Sequence, residues 1–322
     1  MHHQVIERLP SDGMLQQIAT AWDLRNFRFV RKMENIVYQA TRFDEEVYLR
    51  LTSPFRRSKD EIDAELDWIE HLAKHRLPVV RVIRNNLNYT SLTVKEGDQQ
   101  YEACLFAKVS GRHPVAEERL SSQFLYNLGA LMARMHETTL SYSPMAHRKL
   151  REAWFNERGM RHAQRGALLS PNAALKQRFS DMITWMSGLK ITKDNYGLVH
   201  ADLTTENIFI DDDGGIHVID FDDCCYHWHA FDLAIAVLAM EPKDRLTPAV
   251  EETILESLVK GYRSILPIAD EELNNVLKFV TFACLRLYFW IEDHEHLNTF
   301  HEQAVPKVKQ LKDWVKAKIL EP

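Results

Sequence analysis

Cysteine is scarce in this chain, with four residues among 322. That is too few for a disulfide framework, and reduced thiols fit the cytoplasm. Long apolar runs are missing too. None approaches the ~20 residues that a membrane-spanning helix needs, so no membrane partner is expected. The first residues, Met1-His2-His3-Gln4, carry no apolar stretch of the signal-peptide kind, and a cytoplasmic location is expected. Basic charge is not in excess. A net charge of −6 gives no global attraction to nucleic acid or to an anionic membrane. The sequence shows no internal repeat and no low-complexity tract. What remains is an ordinary globular composition, 45% hydrophobic and 27% charged, long enough for two lobes with a substantial core.

One stretch organises the rest, Leu198 to Asp232. It opens with apolar Leu198-Val199 and then His200-x-Asp202, with Asn207 five residues after Asp202. Ile208-Phe209-Ile210 reads as a short buried strand, Asp211 to Gly215 as a turn, and His217-Val218-Ile219 as the returning strand. Asp220 follows at the end of the hairpin. A carboxylate and an amide ahead of a hairpin, with a carboxylate behind it, suit phosphoryl transfer. Magnesium takes oxygen ligands and usually only one or two carboxylates. Asn207 and Asp220 are the candidate ligands, and Asp202 is the candidate base for an attacking hydroxyl. Asp211 to Asp213 are ordinary turn residues.

His200-x-Asp202-x4-Asn207 followed by Ile219-Asp220-Phe221 resembles the signature of the family that includes aminoglycoside phosphotransferases, choline kinases and type II homoserine kinases. The resemblance implies a protein-kinase-like α+β fold with an antiparallel-sheet N-lobe and a mostly helical C-lobe. It implies ATP or GTP and Mg2+ as cofactors, with the nucleotide in the cleft between lobes. It also implies transfer of a γ-phosphoryl group to a small-molecule hydroxyl. Protein kinases usually carry Lys two residues after the catalytic Asp. Thr204 stands there and favours the small-molecule branch over a protein Ser/Thr kinase.

The N-lobe is expected over residues 1–107. A helix is expected at 14–22, then strands at Asn26–Val30, Ile36–Thr41 and Glu46–Leu51. The loop Arg31 to Asn35 occupies the position that covers nucleotide phosphates in the family, yet it has no glycine. Asn35 can supply the left-handed conformation instead. The alternation Val47-x-Leu49-x-Leu51 puts Arg50 on the opposite strand face, where kinases carry a phosphate-binding Lys. Ser58 and Glu61 form a capping-box pattern that starts a helix to His75. Its apolar stripe is Ile62, Leu66, Ile69 and Ala73. Glu65 falls on that same face and needs a partner, for which Arg50 is the candidate. Further strands are expected from Pro78 to Ile83, at Leu92–Val94 and at Tyr101–Lys108. Lys108 to Gly111 reads as the connector. By resemblance, adenine would bond the Ala107 carbonyl and the Val109 amide.

Residues 108–322 should be helical apart from the catalytic hairpin at 198–223. Helices are expected from Ser121 to His136 and at 147–165, 172–188, 231–240, 248–264, 270–290 and 305–320. Arg151, Arg158, Arg161 and Arg165 recur at helical spacing, as a solvated face or an anion-binding stripe. Asp232 beside a very apolar run suggests a brace for the catalytic loop. Cys224-Cys225-x-His227-x-His229 has zinc-ligand residue types but no second ligand pair, and the resemblance implies a short connector there that lines the acceptor site. Asp222 and Asp223, with Glu292 and Asp293, make a candidate wall for a cationic amine on the acceptor. Competing readings are a protein kinase, a weak pseudokinase suggested by Arg50 and the glycine-free loop, and a metal-binding regulatory module on Cys224–His229. The acceptor's identity and the oligomeric state, monomer or homodimer, stay open at this point.

Overall fold

The computed structural model describes residues 8–144, 150–240, 248–297 and 305–320. The chain divides into two compact units. The first comprises residues 1–111, 142–151 and 217–222, and the second the remainder.

The first unit starts with helix α1 (Asp12–Trp22). Ser11 caps it by accepting the Met14 N–H at 3.1 Å. Met14, Ile18 and Trp22 are buried along one face, and left-handed Asp23 ends the helix. Strands β1 (Leu24–Lys32), β2 (Ile36–Arg42) and β3 (Glu45–Thr52) form an antiparallel meander. Helix α2 (Lys59–Lys74) carries the expected capping box. The Ser58 N–H donates to Glu61 Oε2 at 2.9 Å, and the Glu61 N–H donates back to the Ser58 hydroxyl. Strands β4 (Val82–Ile83), β5 (Ser91–Glu96) and β6 (Gln99–Ala107) complete a six-stranded sheet ordered β1-β2-β3-β6-β4, with β5 also on β6. The strand expected from Pro78 shrinks to two ladder residues. Val79 and Val80 leave the sheet and run beside Val218 instead, with Val80 donating to the Val218 carbonyl at 2.9 Å and Val218 donating to that of Pro78 at 3.0 Å. Alternate residues of β2, β3 and β6 meet Met14, Ile18 and Trp22 in one apolar core.

The second unit is mostly helical. Helix α3 (Ala116–Arg119) is a single turn, and α4 (Ser122–Thr139) buries Phe124, Leu128, Met132 and Met135. Helix α5 (Arg158–Leu169) begins later than the expected 147–165, part of which lies outside the described residues. Glu157 starts it by accepting the N–H groups of Gly159 and Met160 at 2.7 and 3.0 Å. Helix α6 (Ala173–Ser187) follows, then β7 (Tyr196–Val199) and β8 (Ile208–Ile210). The returning strand β9 (Ile216–Val218) pairs with β8 and carries the chain into the first unit. The segment expected as a connector contains a strand, β10 (Cys225–Trp228), antiparallel to β7. Helices α7 (Ala230–Met240) and α8 (Pro248–Arg263) come next. The single helix expected at 270–290 is interrupted at Asn274-Asn275. It forms α9 (Asp270–Leu273) and α10 (Val276–His296) before α11 (Val305–Leu320). Glycine lets two helix pairs approach backbone to backbone. A Cβ at Gly261 of α8 would sit 1.9 Å from the Tyr126 carbonyl of α4, and one at Gly166 of α5 equally close to that of Phe289 on α10.

Candidate active site

In the second unit, the end of β7 feeds a tight turn at His200-Ala201-Asp202. Ala201 takes a left-handed φ of 63°. Such backbone is costly for a residue with a side chain and persists where surrounding bonds fix it. Asp232, fully buried at the start of α7, supplies them. Its carboxylate accepts the N–H of His200 at 3.0 Å and of Ala201 at 2.7 Å. His136 of α4 bonds the same carboxylate through Nε2 at 3.1 Å, and its Nδ1 meets the Tyr262 hydroxyl at 2.9 Å. Burial alone would raise the Asp232 pKa. The bond and charge of His136, the charge of His200 and the Ala201 N–H override it and hold the carboxyl below its ordinary value. The brace expected at Asp232 is therefore present, and it reaches back to α4 and α8.

A 3₁₀ turn, Thr205–Asn207, brings Asn207 back onto Asp202. Its side-chain amide donates to Asp202 Oδ2 at 2.7 Å and to the Asp202 carbonyl at 2.8 Å. The amide nitrogen thus faces the carboxylate, which turns the amide oxygen away from it. The His200 ring is buried and accepts the Asp202 N–H at 3.2 Å through Nδ1, so His200 shapes the loop. Asp211 closes the hairpin turn by accepting the N–H of Gly215 at 2.7 Å.

In the first unit, Arg50 and Glu65 form a two-pronged pair, with both hydrogen bonds at 2.8 Å. Both side chains are buried, and the guanidinium stacks on Phe106, 5.2 Å from the ring centroid. Burial works against the Arg50 charge, but Glu65 more than offsets it and raises its pKa well above the ordinary value. The Nε of Arg50 is buried and has no hydrogen-bond partner among the described residues. Ala107 ends β6 and gives its N–H to the Arg81 carbonyl at 2.9 Å, and Val109 lies just beyond, half-buried.

Asp220 ends the Ile219-Asp220 step with a left-handed φ of 61°. Arg31 of the glycine-free loop approaches its Oδ2 at 3.4 Å. Asn35 is not left-handed as the sequence suggests. Its side chain instead donates to Asp222 Oδ2 at 3.1 Å and accepts from the Thr52 hydroxyl at 2.9 Å. Asp222 is buried among arginines, with Arg56 and Arg57 on its carboxylate and Arg57 and Arg151 on its carbonyl. Arg151 is therefore no part of the helical arginine stripe.

The other candidate acceptor residues lie in the second unit. Glu292 pairs with Lys312 at 2.6 Å. Asp293 receives Arg165 on both oxygens and His162 Nδ1 at 2.6 Å. Sequence reasoning passes over Arg286, a cation in the aromatic run of α10, and that placement was the available signal. Its Nη1 meets Glu157 Oε2 at 3.3 Å. Burial opposes its charge, and the carboxylates of Glu157, Asp223 and Asp202 outweigh burial and raise its pKa. In the Cys224–His229 segment, His227 stacks on Phe231 at 3.9 Å and His229 on His136 at 4.4 Å. Burial lowers the pKa of both, with His229 brought down to about 2. Among the described residues, no three of the four Cys and His side chains bring ligand atoms within 4.8 Å of one another.

Asn207 in the second unit and Asp220 in the first each offer an oxygen of the kind that a hard divalent cation takes. The phosphotransferase enzyme family matches residues 26–271. The chain belongs to that family. It is a small-molecule kinase, transferring a phosphoryl group from ATP to a hydroxyl, with use of a divalent metal. Amicoumacin kinase of Bacillus subtilis is 27% identical over 282 residues, which span 86% of this chain and 82% of that protein. A solved amicoumacin kinase in complex with AMP-PNP, Ca2+ and Ami superimposes with a TM-score of 0.84. It is 25% identical and covers 99% of this chain and 96% of its own. A microcompartment-associated aminopropanol kinase superimposes with a TM-score of 0.76 at 26% identity, covering 95% and 96%. The fold is the α+β, protein-kinase-like one, with the antiparallel sheet in one unit and helices dominating the other. Among the described residues, no helix is long and apolar enough to cross a membrane.

Proposed function

We propose that the acceptor is a small hydroxylated amine and that Asp202 is the base. The observation that carries the reading is the contact of Asn207 with Asp202, on a turn braced by Asp232. Asp202 accepts the proton of the acceptor hydroxyl. The oxygen then bonds the γ-phosphorus while the bond from that phosphorus to the β–γ bridging oxygen breaks. Because phosphoryl transfer is mostly positioning and charge stabilisation, a small rigid set is sufficient. Asn207 and Asp220 would hold the divalent ion, which we take to be Mg2+ and which would supply neutralising charge for the nucleotide phosphates. Arg50, held by Glu65, faces those phosphates, and its unpartnered Nε is a donor for a phosphate oxygen. The backbone at Ala107 and Val109 receives the adenine.

The amine preference rests on Asp223. Asp293 and Glu292 are matched by Arg165 and Lys312, whereas Asp223 is one of three carboxylates, with Glu157 and Asp202, that act on the buried Arg286, an acidic excess that suits an incoming ammonium. The name of the aminopropanol kinase describes an amino alcohol acceptor, which agrees. A phosphorylation screen with γ-labelled ATP tests the reading, using amino alcohols, sugars, antibiotics and a protein substrate. Transfer to an amino alcohol that is absent in Asp202→Asn supports it. Transfer only to protein, or only to neutral sugars, overturns it.

A further inference from the structure

Asp222 stands two residues after Asp220, and the arrangement around it is unlike that of a ligand. Its Oδ2 accepts from Arg56 through Nε at 3.0 Å and also through Nη2, and from Asn35 at 3.1 Å. Its Oδ1 takes the Nε of Arg57 at 3.3 Å. The backbone carbonyl of the same residue takes the Nη2 of Arg57 at 2.8 Å and that of Arg151. Arg56 also pairs with Glu34 at 2.5 Å, and Arg151 reaches the Glu61 carbonyl at 3.1 Å. Every member belongs to the first unit. The carboxylate is only 5% exposed, and its accepting sites are already committed to donors that a metal or an ammonium would have to displace.

The network converges on two segments. One is Asp220, whose left-handed backbone is fixed from both sides. Ahead of it, Val218 donates to the Pro78 carbonyl at 3.0 Å. Behind it, Phe221 is fully buried, edge-on to Trp68 of α2 at 5.3 Å, and Asp222 is gripped by arginines. The other is the loop from Arg31 to Asn35. With no glycine to bring backbone close to phosphate, it is tied down by side chains, Asn35 to Asp222 and Glu34 to Arg56.

We infer that Asp222 is a positioning residue, neither a metal ligand nor part of the acceptor wall. Its ion network fixes the metal-binding Asp220 and the phosphate loop to one anchor at the start of α2. The inference rests on Asp220 being a metal ligand. Partners of this kind typically shift metal affinity by about 10–100-fold when removed.

The test uses Asp222→Asn and Arg56→Gln, which approach one bond from its two sides, and their double variant. Calorimetry measures AMP-PNP binding with and without Mg2+. Amide exchange measures residues 219–222 in the metal-free protein. Both single variants should weaken Mg2+-dependent binding by about 10–100-fold and speed exchange. The double variant should be little worse than either, since one bond is lost in each case. The acceptor KM should stay within about twofold. Unchanged Mg2+-dependent binding in Asp222→Asn overturns the inference. So does binding that tightens in Arg56→Gln, which would mark Asp222 as a ligand released from its partner. A rise confined to the acceptor KM overturns it as well. Asp220→Ala is the control. If it too binds Mg2+–AMP-PNP normally, the metal assignment fails. If it alone loses binding, only the inference fails.

Discussion

Asn207 donates its side-chain amide to both the carboxylate and the carbonyl of Asp202, at 2.7 and 2.8 Å. One residue thereby fixes the rotamer of the base and leaves its own oxygen turned outward. The base and one candidate metal ligand are a single rigid piece, held from below by Asp232.

The first prediction follows from that piece. Asp202→Asn keeps the size of the side chain and leaves the Asp232 brace untouched. Turnover should fall by about 10²–10⁴-fold, the usual contribution of a positioned base, while nucleotide affinity and thermal stability hold. Near-normal transfer by this variant would remove Asp202 from its role.

The second prediction concerns Arg50 and Glu65. Glu65→Gln removes the charge that keeps a buried guanidinium compensated, and breaking such a pair is costly, about 3–5 kcal/mol. Catalysis should suffer mainly through a displaced Arg50. The double variant Arg50→Ala/Glu65→Gln should then lose little more kcat/KM than Arg50→Ala alone. Fully additive losses would mean the two act separately.

The third prediction is a pH dependence of stability. Burial lowers the pKa of His229 to about 2, of His162 to about 3 and of His294 to about 4, from an ordinary 6.5. Because the folded values are depressed, the unfolded chain binds more protons below pH 6.5. Stability from these residues is complete above that pH and is lost as pH falls. Each histidine steepens the loss by about 1.4 kcal/mol per pH unit. Asp232 and Asp222, also depressed, add a further loss only below the ordinary carboxylate range. Urea unfolding at pH 7.5 and pH 5 should show the drop. His229 bonds the Asp194 backbone, and His229→Asn, which can keep that bond, should flatten the drop. An identical slope in that variant would show that His229 does not contribute.

Much of this arrangement was legible because local rules and tertiary need agreed. Strand alternation put Arg50 on the polar face of β3, and the capping box set the phase of α2 that turns Glu65 inward. Asp232 was legible because a carboxylate next to Leu233-Ala234-Ile235 cannot stay unbonded. Other features depend on partners distant in sequence. Arg151 copies the helical spacing of Arg158, Arg161 and Arg165, yet its guanidinium serves Glu61 and Asp222, and α5 starts only where Glu157 can cap it. Asn35 had the composition for a left-handed turn, but a better use for its amide arrives with Asp222. Cys225–Trp228 is too short for a periodicity signal, and its strand exists because β7 offers an edge.

The last prediction concerns the acceptor. Of the carboxylates expected to meet an amine, Asp222, Glu292 and Asp293 are each matched by cations of the chain. Asp223 differs in acting on the buried Arg286 together with Glu157 and Asp202, three carboxylates to one guanidinium. An ammonium placed there gains a charge-assisted hydrogen bond, and the aromatic faces of α10 suit the rest of a small cation. Asp223→Asn should therefore raise the KM for an amino alcohol by about tenfold or more, since one such bond is worth about 1.5–3 kcal/mol. The KM for ATP should barely move. Glu292→Gln should leave both constants nearly unchanged, because Lys312 already occupies that carboxylate. If Glu292→Gln raised the acceptor KM and Asp223→Asn did not, the ammonium site would lie at the end of α10. If neither did, the acceptor would be held through groups other than a carboxylate, and the amine assignment would fail.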